Sequence, residues 1–576
     1  MRTLQGIPVS PGVAIAPAFH LRRAGSMPAR RTISRSRVKA EMQLYRDALE
    51  AARGELDEIA ARAGLTDAIG SIAKSHRDFL SDPTLIREIE TTIQNGPSPA
   101  DYAVAVVFNR WIEVFRQLAD EFFRQRYVDL MDLQKRVLRH LRKDEAVEKP
   151  TPDHPAILVA EDLTPSETAD LDRKSFLGFA TEHGGSTSHT AIIAKSLGIP
   201  AICGLGPLGD TVPPGTPLIC DGEQGILIVE PDADTMKRYR ERQELLHRRA
   251  RVLRRMSSLP AETPDGWPVG VFGNIEFPFE VEQAVRNGAD GIGLYRTEFL
   301  YAERQAVPDE EGHLAAYREA LARLNGRTLT IRTFDFGGDK FGESVGFQGE
   351  PNPFLGCRSI RLCFARPELF RPQLRAILRA SNEGRISLLF PMIGSVTEFR
   401  SARSILENVK EELRRGGVPF DANLKVGAMV EIPSAAVMAD LLAREVDFFS
   451  VGSNDLTQYA LAVDRTNERV ANLFRPSNPA ILRLLRNVVR EGIKAGVRVS
   501  LCGEMAAERP YTLLLLGMGI RHFSVAPNMV PEVKRVVRSV SRSDAAEIAR
   551  TALSFATTEE VDSYLAEESV RVLGYV

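Results

Sequence analysis

The chain has 576 residues, of which 44% are hydrophobic and 26% charged, with a net charge of -2. This is the composition of a globular protein, with room for several domains of ~100–200 residues or for a barrel of ~250. The near-balance of charge gives no reason to expect a nucleic-acid partner. The five cysteines, Cys203, Cys220, Cys357, Cys363 and Cys502, include no C-x-x-C pair. That argues against a disulfide framework and against a thiolate zinc site. Met1 to Pro17 does not read as a signal peptide, and the apolar run Leu513 to Leu516 is too short to span a bilayer. The chain is therefore expected to be cytoplasmic and reduced, with no membrane contact.

Residues 1–20, with Pro8, Pro11 and Pro17, predict one or two short strands. From Ser34 to Leu141, charges interleave with Leu, Ala and Ile at spacings of three and four, which predicts about four helices. Asp82-Pro83 and the stretch Asn95 to Pro99 punctuate them. Pro150 to Glu230 reads as a compact α/β domain, with strands at Ala156–Val159 and Gly225–Val229 around a Gly-rich turn. If the strands of residues 1–20 join its sheet, the helical module is an insertion. Pro231 to Arg255 is densely charged with both signs, which predicts a solvated connecting helix. The remainder repeats strand then helix. Strands are predicted at Val269–Asn274, Gly291–Tyr295, Leu329–Phe334, Ile386–Pro391, Val426–Val430, Phe448–Val451, Val499–Leu501 and Phe523–Ala526. Eight such units predict a (β/α)8 TIM barrel, with a doubly wound open sheet as the fallback. The predicted fold class is thus α/β: a C-terminal barrel, and an N-terminal α/β domain carrying an inserted helical module.

A barrel places its chemistry just beyond the C-terminal ends of its strands. Those positions hold Arg296-Thr297-Glu298, Arg332, Asp335, Gly337 to Lys340, Arg358, Glu431, Asn454-Asp455, Arg465 and Cys502-Gly503-Glu504. Arginine forks match phosphate and carboxylate oxygens. Glu431 and Asp455 offer oxygen ligands to a hard cation, for which magnesium fits best. The implied ligand is a small anion carrying both phosphate and carboxylate.

A second constellation is G-G-S-T-S-H-T-A-I-I-A-K-S-L-G-I-P, Gly184 to Pro200. Ser186 or Thr187 can cap a helix that Gly198 and Pro200 end, which puts His189 in its first turn. The positive end of the helix dipole disfavours imidazolium there, and free N–H groups could hold an added phosphate. That environment suits a phosphohistidine intermediate.

L-T-P-S-E-T (163–168), G-G-S-T-S-H-T, G-L-Y-R-T-E-F-L, I-R-T-F-D-F-G-G-D-K, N-P-F-L-G-C-R, G-A-M-V-E-I-P-S, V-G-S-N-D-L-T-Q-Y and L-C-G-E-M-A span 163 to 506. Together with the helical module, they make the chain resemble enzyme I of the phosphoenolpyruvate-dependent sugar phosphotransferase system. The resemblance implies a phosphoenolpyruvate-protein phosphotransferase. His189 is then the phosphorylated residue, supported by Thr168. Arg296, Arg332, Arg358, Asn454, Asp455 and Arg465 bind phosphoenolpyruvate, Glu431 and Asp455 hold Mg2+, and Cys502 protonates the enolate of departing pyruvate. It also implies an HPr-like phosphocarrier partner and a homodimer formed through the barrel.

Residues 1–33 and 142–230 are then the phosphohistidine domain, and 34–141 the HPr-binding module, with Phe79, Leu80, Leu85 and Ile86 as candidates to line its groove. Residues 231–260 are the linker, with a hinge in the turn after Pro260, and 261–576 form the barrel. Two departures from many relatives stand out: Ser186 where a basic residue is common, and Cys357 where Trp is common. The alternatives are a phosphoenolpyruvate synthase or pyruvate phosphate dikinase, and a non-enzymatic regulatory scaffold. The ~145 residues before the α/β domain show no Gly-rich nucleotide loop and are short for an ATP-binding domain.

Overall fold

The computed structural model describes residues 1–20, 31–63, 76–116, 127–142, 152, 154–161, 175–184, 199–209, 211–298, 300, 308–336, 352–465, 467 and 469–574. The chain forms two compact units, Met1–Arg248 and Arg249–Val576.

The first unit contains an eight-stranded sheet. Its strands are β1 (Arg2–Gln5), β2 (Ile7–Ser10), β3 (Val13–His20), β4 (Ala156–Ala160), β5 (Phe176–Thr181), β6 (Ala201–Cys203), β7 (Pro217–Asp221) and β8 (Ile226–Val229). The spatial order is β1-β8-β7-β3-β4-β5-β6-β2. Residues 1–20 thus supply three strands rather than one or two, because Gly6 and Gly12 break the run. Every residue of β4 is buried. Ile157 and Val159 face one apolar cluster while Leu158 and Ala160 face another, as side chains of period two must in a sheet covered on both faces.

Adjacent β3 and β4 pair in parallel, Ala18 against Ile157, although the helical module lies between them in sequence. That placement makes the module an insertion. Its helices among the described residues are α1 (Val38–Ala63), α2 (Pro83–Asn95), α3 (Ala100–Arg116) and α4 (Tyr127–Arg142). The Asp82-Pro83 pair starts α2 for two reasons. Pro83 has no N–H to waste, and the Asp82 carboxylate accepts from the Thr84 N–H at 2.6 Å and the Leu85 N–H at 3.3 Å. Leu85, Ile89 and Ile93, four apart, then point into the module's core. This corrects one expectation: Leu80 and Leu85 are fully buried in that core, and Phe79 and Ile86 pack against it, Phe79 edge-on to Trp111 at 5.9 Å. Leu80 and Leu85 are spent on the module's own packing, while Phe79 and Ile86 remain half-buried beside it. His76 is buried, 3.6 Å from Asp132.

The charged run after Pro231 forms α5 (Ala233–Ser257). Its first half belongs to the sheet unit, where Arg242 bonds Asp221 at 2.6 Å and Gln243 donates to the Val13 carbonyl at 3.0 Å. In the barrel unit, Arg249 reaches Glu532 at 3.3 Å. Lys534 there donates to the Leu259 carbonyl at 2.9 Å, and Arg538 to the Pro260 carbonyl at 2.9 Å. The turn at Pro260, expected to be a hinge, is therefore bonded to the barrel's own helix.

The second unit is a closed, all-parallel barrel: β9 (Gly270–Ile275), β10 (Gly291–Tyr295), β11 (Thr328–Arg332), β12 (Ile386–Phe390), β13 (Lys425–Val430), β14 (Phe448–Val451), β15 (Arg498–Leu501) and β16 (His522–Val525). All eight predicted strands are present within two residues. Outward residues such as Leu329, Ile331, Val430, Val451 and Leu501 join the large core beneath the helices. Inward residues Leu294, Leu389, Met429, Phe448 and Cys502 form a small apolar plug inside the barrel.

His522 opens β16, where burial, followed by the nearby charges of Arg498 and Arg521, pushes its imidazole down to about 4. The native state therefore binds this proton less readily than the unfolded chain does. The stability this difference represents is present above about pH 6.5, the ordinary histidine value, and is lost as the pH falls toward 4. His522→Gln is expected to reduce the drop in melting temperature between pH 7 and 4.5, measured by calorimetry. A drop identical to that of the unsubstituted protein would contradict this.

Candidate active site

Period two explains how the site is aimed. Leu329 and Ile331 face the outer core, so Arg332, at the last position of β11, faces inward. Met429 faces inward on β13, so Glu431, two residues on, does too, and it is almost fully buried. A register shift between Ile292 and Leu294 re-phases β10, leaving Leu294 inside the barrel and Tyr295 outside.

Asp335 is the centre of the mouth. Its carboxylate takes Arg332 Nη1 at 2.8 Å on one oxygen and Arg358 Nη2 at 3.1 Å on the other, and the Ser359 hydroxyl donates to it as well. Both guanidiniums and the carboxylate are largely buried. Arg332 also donates to Glu298 at 3.1 Å, and Glu298 accepts the Asp335 N–H at 3.1 Å. Arg358 donates to the Tyr459 hydroxyl at 3.2 Å, and its guanidinium lies 5.7 Å from the Phe354 ring centre. Thr297 and Gln373 support this cluster from behind: Thr297 donates to the Arg332 carbonyl at 3.1 Å, and Gln373 donates to Thr297 at 3.0 Å.

The carboxyl groups are shifted in opposite directions. Burial tends to raise Asp335, but Arg332 and Arg358 outweigh it and hold the group below the ordinary aspartate range. Glu431 is pushed up to about 8 by burial, then by the charges of Asp335 and Asp455. Asp455 is raised by burial and by Asp335. Glu431 accepts the Met392 N–H at 2.6 Å, and a side chain at Gly452 would stand 2.7 Å from its other oxygen. Among the described residues, no three His, Cys, Asp or Glu side chains form a preformed metal cluster. Two buried carboxyl groups, both raised by burial and by Asp335, are nonetheless a donor set a hard divalent cation would relieve.

Cys502 lies inside the barrel plug, its sulfur accepting from the Ser450 hydroxyl at 3.3 Å and facing the Val451 carbonyl at 3.4 Å. Burial pushes the thiol up, against the Ser450 hydrogen bond. Asn454 and the residue after Gly503 are joined reciprocally: the Asn454 amide donates to Glu504 at 2.9 Å and accepts the Glu504 N–H at 3.2 Å. Arg465 approaches the same Glu504 carboxylate at 3.6 Å and is more exposed. Arg296 bonds Glu276 at 3.1 Å on the far side of the mouth.

The structure thus groups Arg332, Arg358, Glu431 and Asp455 around Asp335, and Asn454 with Arg465 around Glu504. His189, Thr168, Ser186 and Lys340 lie outside the described residues. The strand-end reading named Asp335, Glu298 and Glu504 but gave them no role. Tyr459, Gln373 and Ser450 were missed because their signal is three-dimensional: the first two sit on helices and the third inside a strand.

A closed barrel whose mouth concentrates buried guanidiniums and carboxylates defines an enzyme that handles a small, multiply charged anion. Residues 250–542 match the family described as PEP-utilising enzyme, PEP-binding domain. Residues 5–126 match its N-terminal family and 152–225 its mobile domain. The phosphoenolpyruvate-protein phosphotransferase of Priestia megaterium is 40% identical over 566 residues, covering 98% of this chain and 98% of that protein. That of Bacillus subtilis (strain 168) is 40% identical over 572 residues, covering 98% of this chain and 100% of the relative. A solved structure described as an NMR solution structure of Enzyme I (nEIt) is 36% identical, covers 42% of this chain and 99% of its own, and has a TM-score of 0.35. The chain belongs to the phosphoenolpyruvate-protein phosphotransferase family. Among the described residues, no helix is long and apolar enough to cross a membrane.

Removing Asp335 would leave Arg332 and Arg358 facing each other without their shared partner. Asp335→Ala is expected to destabilise the barrel by ~3–5 kcal/mol, the usual cost of breaking a buried ion pair on one side. Urea unfolding checks this, and a loss under about 1 kcal/mol would mean the network is not desolvated as described.

Proposed function

We propose that this chain transfers the phosphoryl group of phosphoenolpyruvate to His189, releases pyruvate, and passes the group to the histidine of an HPr-like phosphocarrier. The observation that carries the proposal is the Asp335-centred mouth, in which Arg332 and Arg358 are held charged and aimed by one buried carboxylate. Arg296, Arg332, Arg358 and Arg465 would neutralise phosphoryl and carboxylate oxygens, with Asn454 as a neutral donor. Such a transfer is mostly positioning and charge stabilisation, so rigid guanidiniums matter more than a nucleophile in the barrel. Glu431 and Asp455 would hold Mg2+, which when bound supplies further neutralisation of phosphoryl charge. Cys502, kept protonated by burial, would give its proton to C3 of the enolate. Thr168 would steady the phosphorylated ring of His189.

The division of labour follows. Residues 1–33 and 142–230 carry the histidine, 34–141 dock the carrier, 231–260 connect, and 261–576 bind phosphoenolpyruvate and dimerise. Neither a dikinase nor a non-enzymatic scaffold is favoured by the matches at 40% identity over the whole chain.

Incubating the full chain with phosphoenolpyruvate and magnesium should add one phosphate to His189, read by mass spectrometry under conditions that preserve phosphohistidine. His189→Ala should incorporate none, and phosphate on a different histidine would overturn the assignment.

The metal pair gives a second test. Glu431→Gln or Asp455→Asn each deletes an anionic oxygen, and should lower magnesium-dependent phosphorylation by at least about 100-fold, equivalent to ~2.7 kcal/mol. Full activity in excess chelator would remove the metal from the reading.

A further inference from the structure

Ser450 is assigned to no step above, yet its side chain is nearly fully buried and turned into the barrel. Phe449 and Val451 face the outer core, so by alternation Phe448 and Ser450 face inward. The register of β13, β14 and β15 sets Ser450 beside Met429 on one side and Ser500 on the other. The Cys502 N–H is bonded to the Val451 carbonyl at 3.0 Å, which fixes the cysteine one step above the strand ladder. That places Sγ 3.3 Å from the Ser450 hydroxyl, and the thiol proton is directed to the Val451 carbonyl at 3.4 Å. Cys502 shares its apolar cluster inside the barrel with Leu294, Leu389, Met429 and Phe448. Among the described residues, Ser450 is the single hydrogen-bond donor to that sulfur.

We infer that Ser450 is a positioning residue for enolate protonation: its hydroxyl holds the Cys502 sulfur in place and stabilises the thiolate left when the proton departs. The inference rests on Cys502 being the acid of the proposed reaction. In that step the S–H bond breaks and a C3–H bond forms. The enolate oxygen's electron pair becomes the carbonyl π bond of pyruvate, and the negative charge passes to sulfur. A thiolate in an apolar plug is costly without a donor, and a hydrogen bond to a charged acceptor is stronger than one to a neutral acceptor. Solvent water then returns a proton to the sulfur. The serine hydroxyl gives up no proton in the cycle; it remains a donor to sulfur before and after.

The test compares two rates in the full-length protein with magnesium. One is deuterium uptake at C3 of pyruvate in deuterium oxide, followed by NMR. The other is phosphate incorporation into His189 from phosphoenolpyruvate, followed by rapid quench. Ser450→Ala is expected to lower the ratio of C3 exchange to phosphorylation by at least about tenfold, the scale of a lost hydrogen bond to charge. Ser450→Thr, which keeps the hydroxyl, should recover most of that ratio. An unchanged ratio in Ser450→Ala, while Cys502→Ser loses exchange, overturns the role of Ser450 and leaves the acid standing. Equal slowing of both rates in Ser450→Ala also overturns it, since that is the mark of a disturbed barrel. Normal exchange in Cys502→Ser removes the acid itself, and this inference with it.

Discussion

One buried carboxylate sets the electrostatics of the barrel mouth. Two guanidiniums at close range would repel each other and resist leaving water. Asp335 lies between Arg332 and Arg358 and gives each a separate oxygen, so both can remain charged in a largely dry pocket. The remaining polar contacts follow from that arrangement. Glu298 takes the second nitrogen of Arg332, and Tyr459 takes the second of Arg358. Each guanidinium therefore arrives at the mouth with its plane already fixed. An arginine fixed in this way loses less conformational entropy on binding an anion than one waving in solvent.

The barrel supplies what the network needs to exist. Closing eight strands removes every sheet edge and leaves an interior that side chains must fill. Here much of the filling is apolar, with Leu294, Leu389, Met429 and Phe448 in one cluster inside the barrel. An apolar cluster beside the buried charges raises the cost of leaving any of them unpaired. The pairing seen around Asp335 and the raised Glu431 and Asp455 are two responses to the same dryness. Asp335 meets it by gaining two cations, whereas Glu431 and Asp455 are pushed upward by burial and by the charge of Asp335. Binding a cation beside them would remove that imbalance without moving a strand.

The strands of the barrel were legible because each is a short apolar run set between amphipathic helical stretches, and all eight fall where the pattern puts them. The charged run after Pro231 was legible as a helix from its dense charges of both signs, although Tyr239 on it is buried against Val13, Ile219 and Ile228. Residues 1–20 were less so, since glycines at 6 and 12 divide one apolar run into three strands whose pairing partners lie about 200 residues away, β1 against β8 and β2 against β6. The misreading of Leu80 and Leu85 has a plain cause. Sequence marks residues as apolar but does not say whether the surface they make is covered, and here α1, α3 and α4 cover it. At the mouth, Arg332 and Glu431 were visible from strand ends alone. The role of Asp335 was not, because a carboxylate after a strand looks the same whether it binds a ligand or orders the arginines that do.

The distinction between those two kinds of residue extends to the sulfur. A thiol that must donate a proton has to remain protonated until the moment of transfer, which favours burial. Once the proton is gone, the same burial penalises the anion. Surroundings that were wholly apolar would satisfy the first demand and obstruct the second, and a cation in direct contact would do the reverse. A neutral hydroxyl at 3.3 Å sits between these extremes. It counters part of the upward push of burial on the thiol, and it strengthens as charge builds on sulfur. Arg332 and Arg296 act on Cys502 only from farther off, and Glu431 opposes them. The barrel interior therefore treats its carboxylates, its guanidiniums and its thiol by one rule. Each group is kept in the charge state that its burial allows, and only close partners, Asp335 for the arginines and Ser450 for the sulfur, shift that state toward the one the chemistry uses.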